Sequence, residues 1–292
     1  MPHLIACTDG SSYASGVYDA ALWIANKTHI SIKLLHVLDQ KQEQPDDLDL
    51  SGALHGEASR VLFAELAALD AARARLLGVK ARALLETAVK YLREKDARSV
   101  ATVLKQGTLV DALAELEREP QAQMVVIGKR GDYAAYDRQH LGAKLERVIR
   151  ASCRPILVAS HTFRPIKRTL IACDGAASSE KAILYAVDQP LLKGLDLHVL
   201  AVGAPGSPAD EARAKAEDRL IAAGHAVTAV LRQGGREGED NIEQLIADYV
   251  RDEQIDLLIM GAYGHARQRH LIVGHTTTSL VRMCEIPMMI FK

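Results

Sequence analysis

The sequence predicts an α/β protein made of two tandem doubly wound domains, each with a five-stranded parallel sheet. Short apolar runs bounded by turn residues alternate with segments of helical period, which is the pattern of β–α–β units. The segment LIACTDGSS at 4–12 returns as LIACDGAASS at 170–179, and VVIGKRG at 125–131 returns as LIMGAYG at 258–264. Motifs duplicated in the same order favour two copies of one folded unit over a solenoid of short repeats.

Length and composition fit this fold class. The chain has 292 residues, enough for two domains of ordinary size, which we place at 1–162 and 163–292. Its net charge of −1 offers no positive field for nucleic acid. The sequence has no signal-peptide pattern and no uncharged run that could span a membrane, so we expect a cytoplasmic protein. The cysteines lie in or beside apolar runs and are expected to be buried and unpaired: Cys7, Cys153, Cys173 and Cys284.

The apolar runs predict ten strands in chain order. They are 3–7, 31–38, 99–105, 123–128 and 155–159 in the first half, and 168–173, 195–202, 226–232, 256–261 and 287–291 in the second. Serines, which are favoured N-caps, open the first helix of each half: Ser11, Ser12, Ser178 and Ser179. Pro155 and Pro287 end the last helix of each half, because the residue before a proline avoids helical geometry.

The first half carries an insertion at about residues 40–75. It contains the polar segment DQKQEQPDDLDLSG and then leucines at helical spacing: Leu62, Leu66, Leu69 and Leu76. We expect a helix that lies over the sheet or forms an interface, in preference to a lid.

Glycine-containing turns follow the first and fourth strands of both halves. DGS at 9–11 and DGA at 174–176 follow the first strand, while GKRG at 128–131 and GAYG at 261–264 follow the fourth. Ligands of doubly wound sheets bind beyond these strand ends, where backbone N–H groups and a helix N-terminus attract an anion. A GxxG by itself also fits a tight turn without a ligand. The whole set, repeated in order, points to a phosphate.

With these motifs the chain closely resembles the universal stress protein family in its tandem form. The resemblance covers nearly the whole chain apart from the insertion. It implies domains of the adenine nucleotide alpha hydrolase type, related by an intrachain pseudo-twofold axis. It also implies antiparallel pairing of strand 155–159 with strand 287–291, which would hide two apolar edges. A homodimer and an unknown protein partner are further expectations; no nucleic-acid or membrane partner is expected.

Nucleotide-binding members of that family resemble one another in the pattern G-x2-G-x9-G-[ST]. The second half has this spacing at Gly261, Gly264 and Gly274. His275 occupies the hydroxyl position, and Thr276 supplies a hydroxyl one residue late.

The first half departs further from the pattern. Its glycines are Gly128, Gly131 and Gly142, with one residue too many before the last, and Ala143 stands where a hydroxyl belongs. It keeps the DGSS turn, whereas the second half reads DGAA. We therefore expect nucleotide binding in the second half in preference to the first.

Other site residues follow from the resemblance residue by residue. It implies that Asp174 or Asp9 lies at the adenine, with backbone near Val199 or Val37 beside it. Met260 and the glycines would line the ribose and phosphates. The implied ligand is ATP or another adenine nucleotide, with or without Mg²⁺.

Histidines and cations near the glycines are additional candidates. His265, His270 and His275 lie five residues apart, which is the wrong period for metal ligands on one helical face. Contact of His265 and His275 with an anion, or simple solvation, fits this spacing better. Lys129 and Arg130 are candidate phosphate partners in the first half or exposed loop cations.

No catalytic constellation is present in the sequence. It has no Walker sequence, no GxGxxG after a strand and no GxSxG elbow, so no catalytic residue is predicted. The leading hypothesis is a cytoplasmic stress-response protein that binds an adenine nucleotide without turnover, as a sensor or adaptor. The alternative is a ligand-free interaction module with degenerate nucleotide sites. A weak ATPase is a third hypothesis.

Overall fold

A computed structural model describes residues 1–38, 57–130, 143–233, 242–264 and 274–292. The strands of the first half are β1 (His3–Cys7), β2 (Ser31–Leu38), β3 (Val100–Gln106), β4 (Ala122–Gly128) and β5 (Ile156–Ala159). Those of the second half are β6 (Arg168–Ala172), β7 (Asp196–Val202), β8 (Ala226–Arg232), β9 (Leu257–Gly261) and β10 (Met288–Phe291). All the predicted strands are confirmed to within a residue at each end.

Helices connect these strands. The first half contains α1 (Ala14–Thr28), α2 (Glu57–Glu94), α3 (Leu109–Glu117) and α4 (Ala143–Ala151). The second half contains α5 (Ala177–Asp188), α6 (Pro208–Ala222), α7 (Ile242–Asp252) and α8 (His275–Met283). Among these described helices, none combines the length and the apolar character needed to cross a membrane.

The strands form one ten-stranded sheet in the order β3-β2-β1-β4-β5-β10-β9-β6-β7-β8. All pairings within a half are parallel, whereas β5 and β10 are antiparallel, with Leu157 opposite Met289. This pairing confirms the predicted fold class and the predicted intrachain contact between the final strands. The strand order reverses beside β1 and again beside β6, which are the two places where a doubly wound sheet binds ligands.

Helices cover both faces of the sheet, as a parallel sheet requires. Successive strand residues point to opposite faces, so Leu4 and Ala6 belong to one core and Ile5 and Cys7 to the other. Helices α1, α2, α5 and α6 contribute to the first core, and α3, α4, α7 and α8 to the second. Each core runs through both halves of the chain.

The predicted serine N-caps are wrong. The N-cap is Tyr13 in α1 and Ala176 in α5, and neither makes a side-chain capping hydrogen bond. Ser178 and Ser179 lie inside the first turn of α5 and are buried. Ser178 Oγ instead donates to the carbonyl of Tyr263 at 2.7 Å, because α5 packs tightly against the end of β9. In the first half, Ser11 and Ser12 precede Tyr13, the N-cap of α1.

The insertion contributes the first part of one continuous helix, α2, which confirms the predicted helical stretch. The last part of α2 packs on the sheet through Leu85, Ala88 and Leu92, and Ala81 is buried as well. The polar segment before α2 lies outside the described residues.

The expectation of four buried cysteines is wrong for one of them. Cys7, Cys173 and Cys284 are buried, but Cys153 is exposed because it follows the last turn of α4. Its backbone N–H donates to Glu117 Oε2 at 2.8 Å. All four cysteines are free thiols.

Candidate functional site

Corresponding aspartate turns lie at the carboxyl ends of β1 and β6. Asp9 Oδ1 accepts a hydrogen bond from the backbone N–H of Ser11 at 2.9 Å, and Asp174 Oδ1 accepts one from Ala176 at 2.9 Å. The glycine after each aspartate has a φ of +76° or +78°, which favours glycine in both turns. The two halves therefore share the same turn.

A cleft opens beside this turn in the first half. It encloses about 790 Å³ of space, a volume that includes the part open to solvent. Its floor is apolar and is formed by Cys7, Ala14, Val17, Leu35, Val37, Leu109, Ile127 and Leu145. Its rim is polar and is formed by Thr8, Asp9, Ser11, Tyr13, Lys129, Arg130 and Lys144, with Gly128 between floor and rim.

Among the described residues that line this cleft, cations outnumber acidic groups. Lys129 and Arg130 follow β4, Lys144 lies in the first turn of α4, and Asp9 is the acidic residue among those that line it. The N-terminus of α4 adds the positive end of a helix dipole. An apolar floor with a positive rim suits a ligand that has a flat apolar part and an anionic part.

Lys129 joins this cleft to the other half of the chain. Its Nζ donates to the carbonyl of Cys284 at 2.7 Å and to that of Arg282 at 3.3 Å, at the end of α8. Burial lowers the pKa of Lys129 to about 8. A charge that lines the cleft is therefore also part of the contact between the two halves.

The second half pairs several polar groups internally at the corresponding place, whereas the Tyr263 hydroxyl is buried without a hydrogen-bond partner among the described residues. Gly274 is the N-cap of α8, and its N–H donates to the carbonyl of Ala262 at 3.1 Å. The hydroxyl of Thr277 donates to the carbonyls of Gly261 at 3.2 Å and Ala262 at 3.3 Å. These hydrogen bonds link the end of β9 to the first turn of α8.

A buried carboxylate lies against the first turn of α8. The Glu243 side chain, on α7, is only 9% exposed, and its Oε1 lies 3.1 Å from His275 Nδ1. Burial raises the pKa of Glu243, but hydrogen bonds from its own backbone N–H, His275 and Thr276 outweigh burial and hold that pKa below its ordinary value. The carboxylate is ionised at neutral pH and places a negative charge at the positive end of α8.

The first half has no counterpart of this carboxylate at that helix position. Val110 is the second residue of α3, as Glu243 is of α7, and Val110 packs against the core. Lys144 is the second residue of α4, where α8 has Thr276. The two halves therefore differ in the sign of the charge beside the last helix. The sequence analysis did not identify Lys144 or Glu243 as site residues. Each is a charged residue at the second position of its helix, α4 or α7, and this pattern could have indicated them.

The described structure brings several predicted residues together. In the second half, a Cβ on Gly264 would lie 3.3 Å from Asp174 Oδ2. In the first half, Asp9, Val37 and Gly128 line one cleft.

Other predicted residues are placed differently. Met260 and Val199 are buried in the cores, and Val199 lies in the middle of β7, so it does not reach the end of its strand. The strand register makes Val202 the counterpart of Val37. Four predicted residues lie outside the described part of the chain: Gly131, Gly142, His265 and His270. Among the residues that are described, no group of three or more His, Cys, Asp or Glu is placed to hold a metal ion.

Comparison with known proteins gives consistent matches. A model described as the Universal stress protein family matches residues 1–160 and 165–292. The chain is 35% identical over 298 residues to universal stress protein Slr1230 of Synechocystis sp., covering 100% of both.

Solved structures match as well. A universal stress protein from Archaeoglobus fulgidus DSM 4304 aligns with a TM-score of 0.74 and 18% identity, covering 99% of this chain and 98% of its own. A putative universal stress protein from Pseudomonas aeruginosa UCBPP-PA14 aligns with a TM-score of 0.63 and 16% identity, covering 100% of this chain and 93% of its own. At these identities the likeness shows a shared fold.

Proposed function

This chain belongs to the universal stress protein family, and we propose that it binds one adenine nucleotide in the cleft of its first half. In this proposal it does not turn the nucleotide over and acts as a cytoplasmic stress-response sensor or adaptor. The observation that carries the proposal is the cleft itself, in which an aspartate turn, an apolar floor and a cationic rim meet.

Each part of the cleft matches one part of a nucleotide. The floor, which includes the half-buried Val37 and Leu109, offers apolar surface to a purine ring. The carboxylate of Asp9 is an acceptor for the amino group of adenine. Lys144 and the N-terminus of α4 supply positive charge for the phosphates.

Electrostatics favour the first half over the second. A phosphate at the N-terminus of α8 would meet the ionised carboxylate of Glu243, which already lies against that turn. Two unit charges about 5 Å apart repel by about 3 kcal/mol at an effective dielectric constant of about 20. A penalty of about 3 kcal/mol weakens binding by about 100-fold. We therefore reverse the preference that the glycine spacing suggested.

Lys129 offers a way for the ligand to act on the rest of the protein. Its ammonium lines the cleft and also donates to carbonyls at the end of α8. A bound anion competes for these hydrogen bonds, so occupancy of the cleft biases the contact between the halves. No cleft residue is assigned as a general base, and turnover is not part of the proposal.

A ligand-free interaction module is the second candidate, and one observation favours it for the second half. The hydroxyl of Thr277, the N–H of Gly274 and the carboxylate of Glu243 are all satisfied by other groups of the protein. The second half then serves to pair with the first and to present a surface.

Isothermal titration calorimetry of the full chain with ATP, ADP and AMP, with and without Mg²⁺, tests the proposal. We expect one nucleotide per chain. Asp9→Ala and Lys144→Glu should each weaken binding at least about tenfold, because they remove an acceptor and reverse a charge. The matched variants of the second half, Asp174→Ala and Thr276→Glu, should leave the affinity unchanged.

Three results would contradict the proposal. A titration without heat, together with no thermal shift in excess nucleotide, would support the ligand-free module. Two equal sites per chain, or loss of binding in Asp174→Ala, would assign the site to the second half. Phosphate release that disappears in Lys144→Glu would make the protein an ATPase.

A further inference from the structure

The first part of α2 presents apolar side chains that are left uncovered within the described part of the chain. Leu69 is 66% exposed and Leu76 is 70% exposed, and Val61, Phe63, Leu66 and Val79 are exposed as well. Only from Leu85 onward does α2 pack on the sheet. An apolar surface of this extent marks an interaction site.

The exposed leucines form a seam of their own. Leu62, Leu66, Leu69, Arg73 and Leu76 follow one another at alternating steps of four and three residues. This is the spacing of a coiled-coil seam, in which two helices bury a narrow apolar stripe between them. The spacing predicts a helical partner of similar length.

This seam is not an extension of the surface that packs on the sheet. The sheet-packing residues of α2 are Leu85, Ala88 and Leu92. At 3.6 residues per turn, their line lies roughly 110° around the helix from the leucine seam. Packing on the sheet therefore leaves the seam facing away.

Acidic and basic residues occupy different parts of the same segment of α2. Glu65 and Asp70 lie in the first part, and Arg73, Arg75 and Lys80 follow in the second. Two copies of this helix in antiparallel orientation oppose acidic to basic residues, whereas a parallel pair opposes like charges. The segment is thus complementary to itself in one orientation.

We propose that residues 61–80 of α2 form an interface with the same segment of a second copy of this chain, antiparallel and with the leucine seam buried. A segment of this length extends about 30 Å, enough for nearly three heptads. A twofold interface uses one patch on both subunits, which is what self-complementary charge provides. Strands β5 and β10 pair with each other inside the chain, so their pairing edges are already used.

Sedimentation equilibrium on the full chain, from about 1 to 100 µM, tests the interface. We expect the wild type to have twice the mass of the 31.7 kDa chain. The double variant Leu69→Glu, Leu76→Glu should sediment as the single chain, because it buries four carboxylates in the seam of a dimer. Leu69 and Leu76 are both exposed in the single chain, so the circular dichroism and nucleotide affinity of the double variant should equal those of the wild type. The matched control Ile221→Glu alters an exposed apolar residue on α6 and should remain dimeric.

Charge reversal tests the orientation. Glu65→Arg with Asp70→Arg should weaken the dimer at least about tenfold, and adding Arg73→Glu with Arg75→Glu should restore it. A wild type that stays a single chain at about 100 µM would overturn the proposal. So would a dimer that survives the double glutamate variant. A quadruple charge variant that does not recover would overturn the antiparallel arrangement.

Discussion

The two halves share one fold and differ most at the first turn of their last helix. In the first half that turn carries Lys144, and the neighbouring helix contributes the apolar Val110. In the second half the turn carries Thr276, and the neighbouring helix contributes the buried carboxylate of Glu243. The comparison teaches that one backbone frame can present opposite charges at the same helix turn according to two side chains.

The glycines of the two halves give a second contrast. A Cβ on Gly261 would collide with Ser178 Oγ and lie 2.9 Å from Ser178 Cβ. A Cβ on Gly128 would lie 3.1 Å from Tyr13 Cβ and 3.2 Å from the carbonyl oxygen of Arg130, so its contacts are less close. Close packing of α5 on β9 is sufficient to require Gly261. The glycine spacing of the second half is thus a weaker sign of a ligand than it first suggests.

Exchanging the residues at the second position of α3 and α7 should have the largest effect. Val110→Glu should weaken nucleotide binding by about 100-fold, because it adds a negative charge beside α4. Glu243→Val should raise the stoichiometry in calorimetry from one nucleotide per chain to two. Two neutral variants separate charge from packing. Val110→Thr should keep the wild-type stoichiometry and affinity, because it adds no charge. Glu243→Gln should raise the stoichiometry as Glu243→Val does, because it removes the charge. A Val110→Glu variant that binds like the wild type would remove the electrostatic distinction between the halves.

Alanine at the two strand-end glycines should separate packing from binding. Gly261→Ala should lower the free energy of unfolding by about 2 kcal/mol, because the added methyl group overpacks a buried contact. Gly128→Ala should cost about 1 kcal/mol or less, since its neighbours can shift. Urea denaturation of both variants measures the difference. Equal losses would contradict a packing role that is specific to Gly261.

Raising the pH should produce the smallest change, a loss of nucleotide affinity in the cleft of the first half. The pKa of Lys129 is lowered to about 8 by burial, so its ammonium is charged below that pH and neutral above it. A bound anion stabilises the charged form, so nucleotide affinity should be highest below pH 8 and fall by up to about tenfold toward pH 9. Lys129→Arg stays charged and should bind with an affinity that does not change between pH 7 and 9. A decline that persists in Lys129→Arg would mean that another group titrates.

Much of the fold could be predicted from local sequence. Short apolar runs and the turn residues that bound them located every described strand, because these signals act over a few positions. Helix starts were less accessible, because serine is favoured both at N-caps and in tight buried turns; Ser178 bonds to Tyr263, far along the chain. The exposure of Cys153 likewise depends on how α4 ends, which its apolar neighbours do not reveal.

The sequence by itself determined the duplicated α/β architecture, the strand positions and the family, since periodicity and ordered motifs are properties of the chain. Only the tertiary structure places the charges beside the last helix of each half, on which our proposal for the anion site rests. Glu243 and His275 are 32 positions apart, and their contact exists because α7 packs beside α8. Lys129 reaches Cys284 because β5 and β10 bring the two halves together. Charges act through space over a few ångströms, so their effect is fixed by packing and not by their order in the sequence.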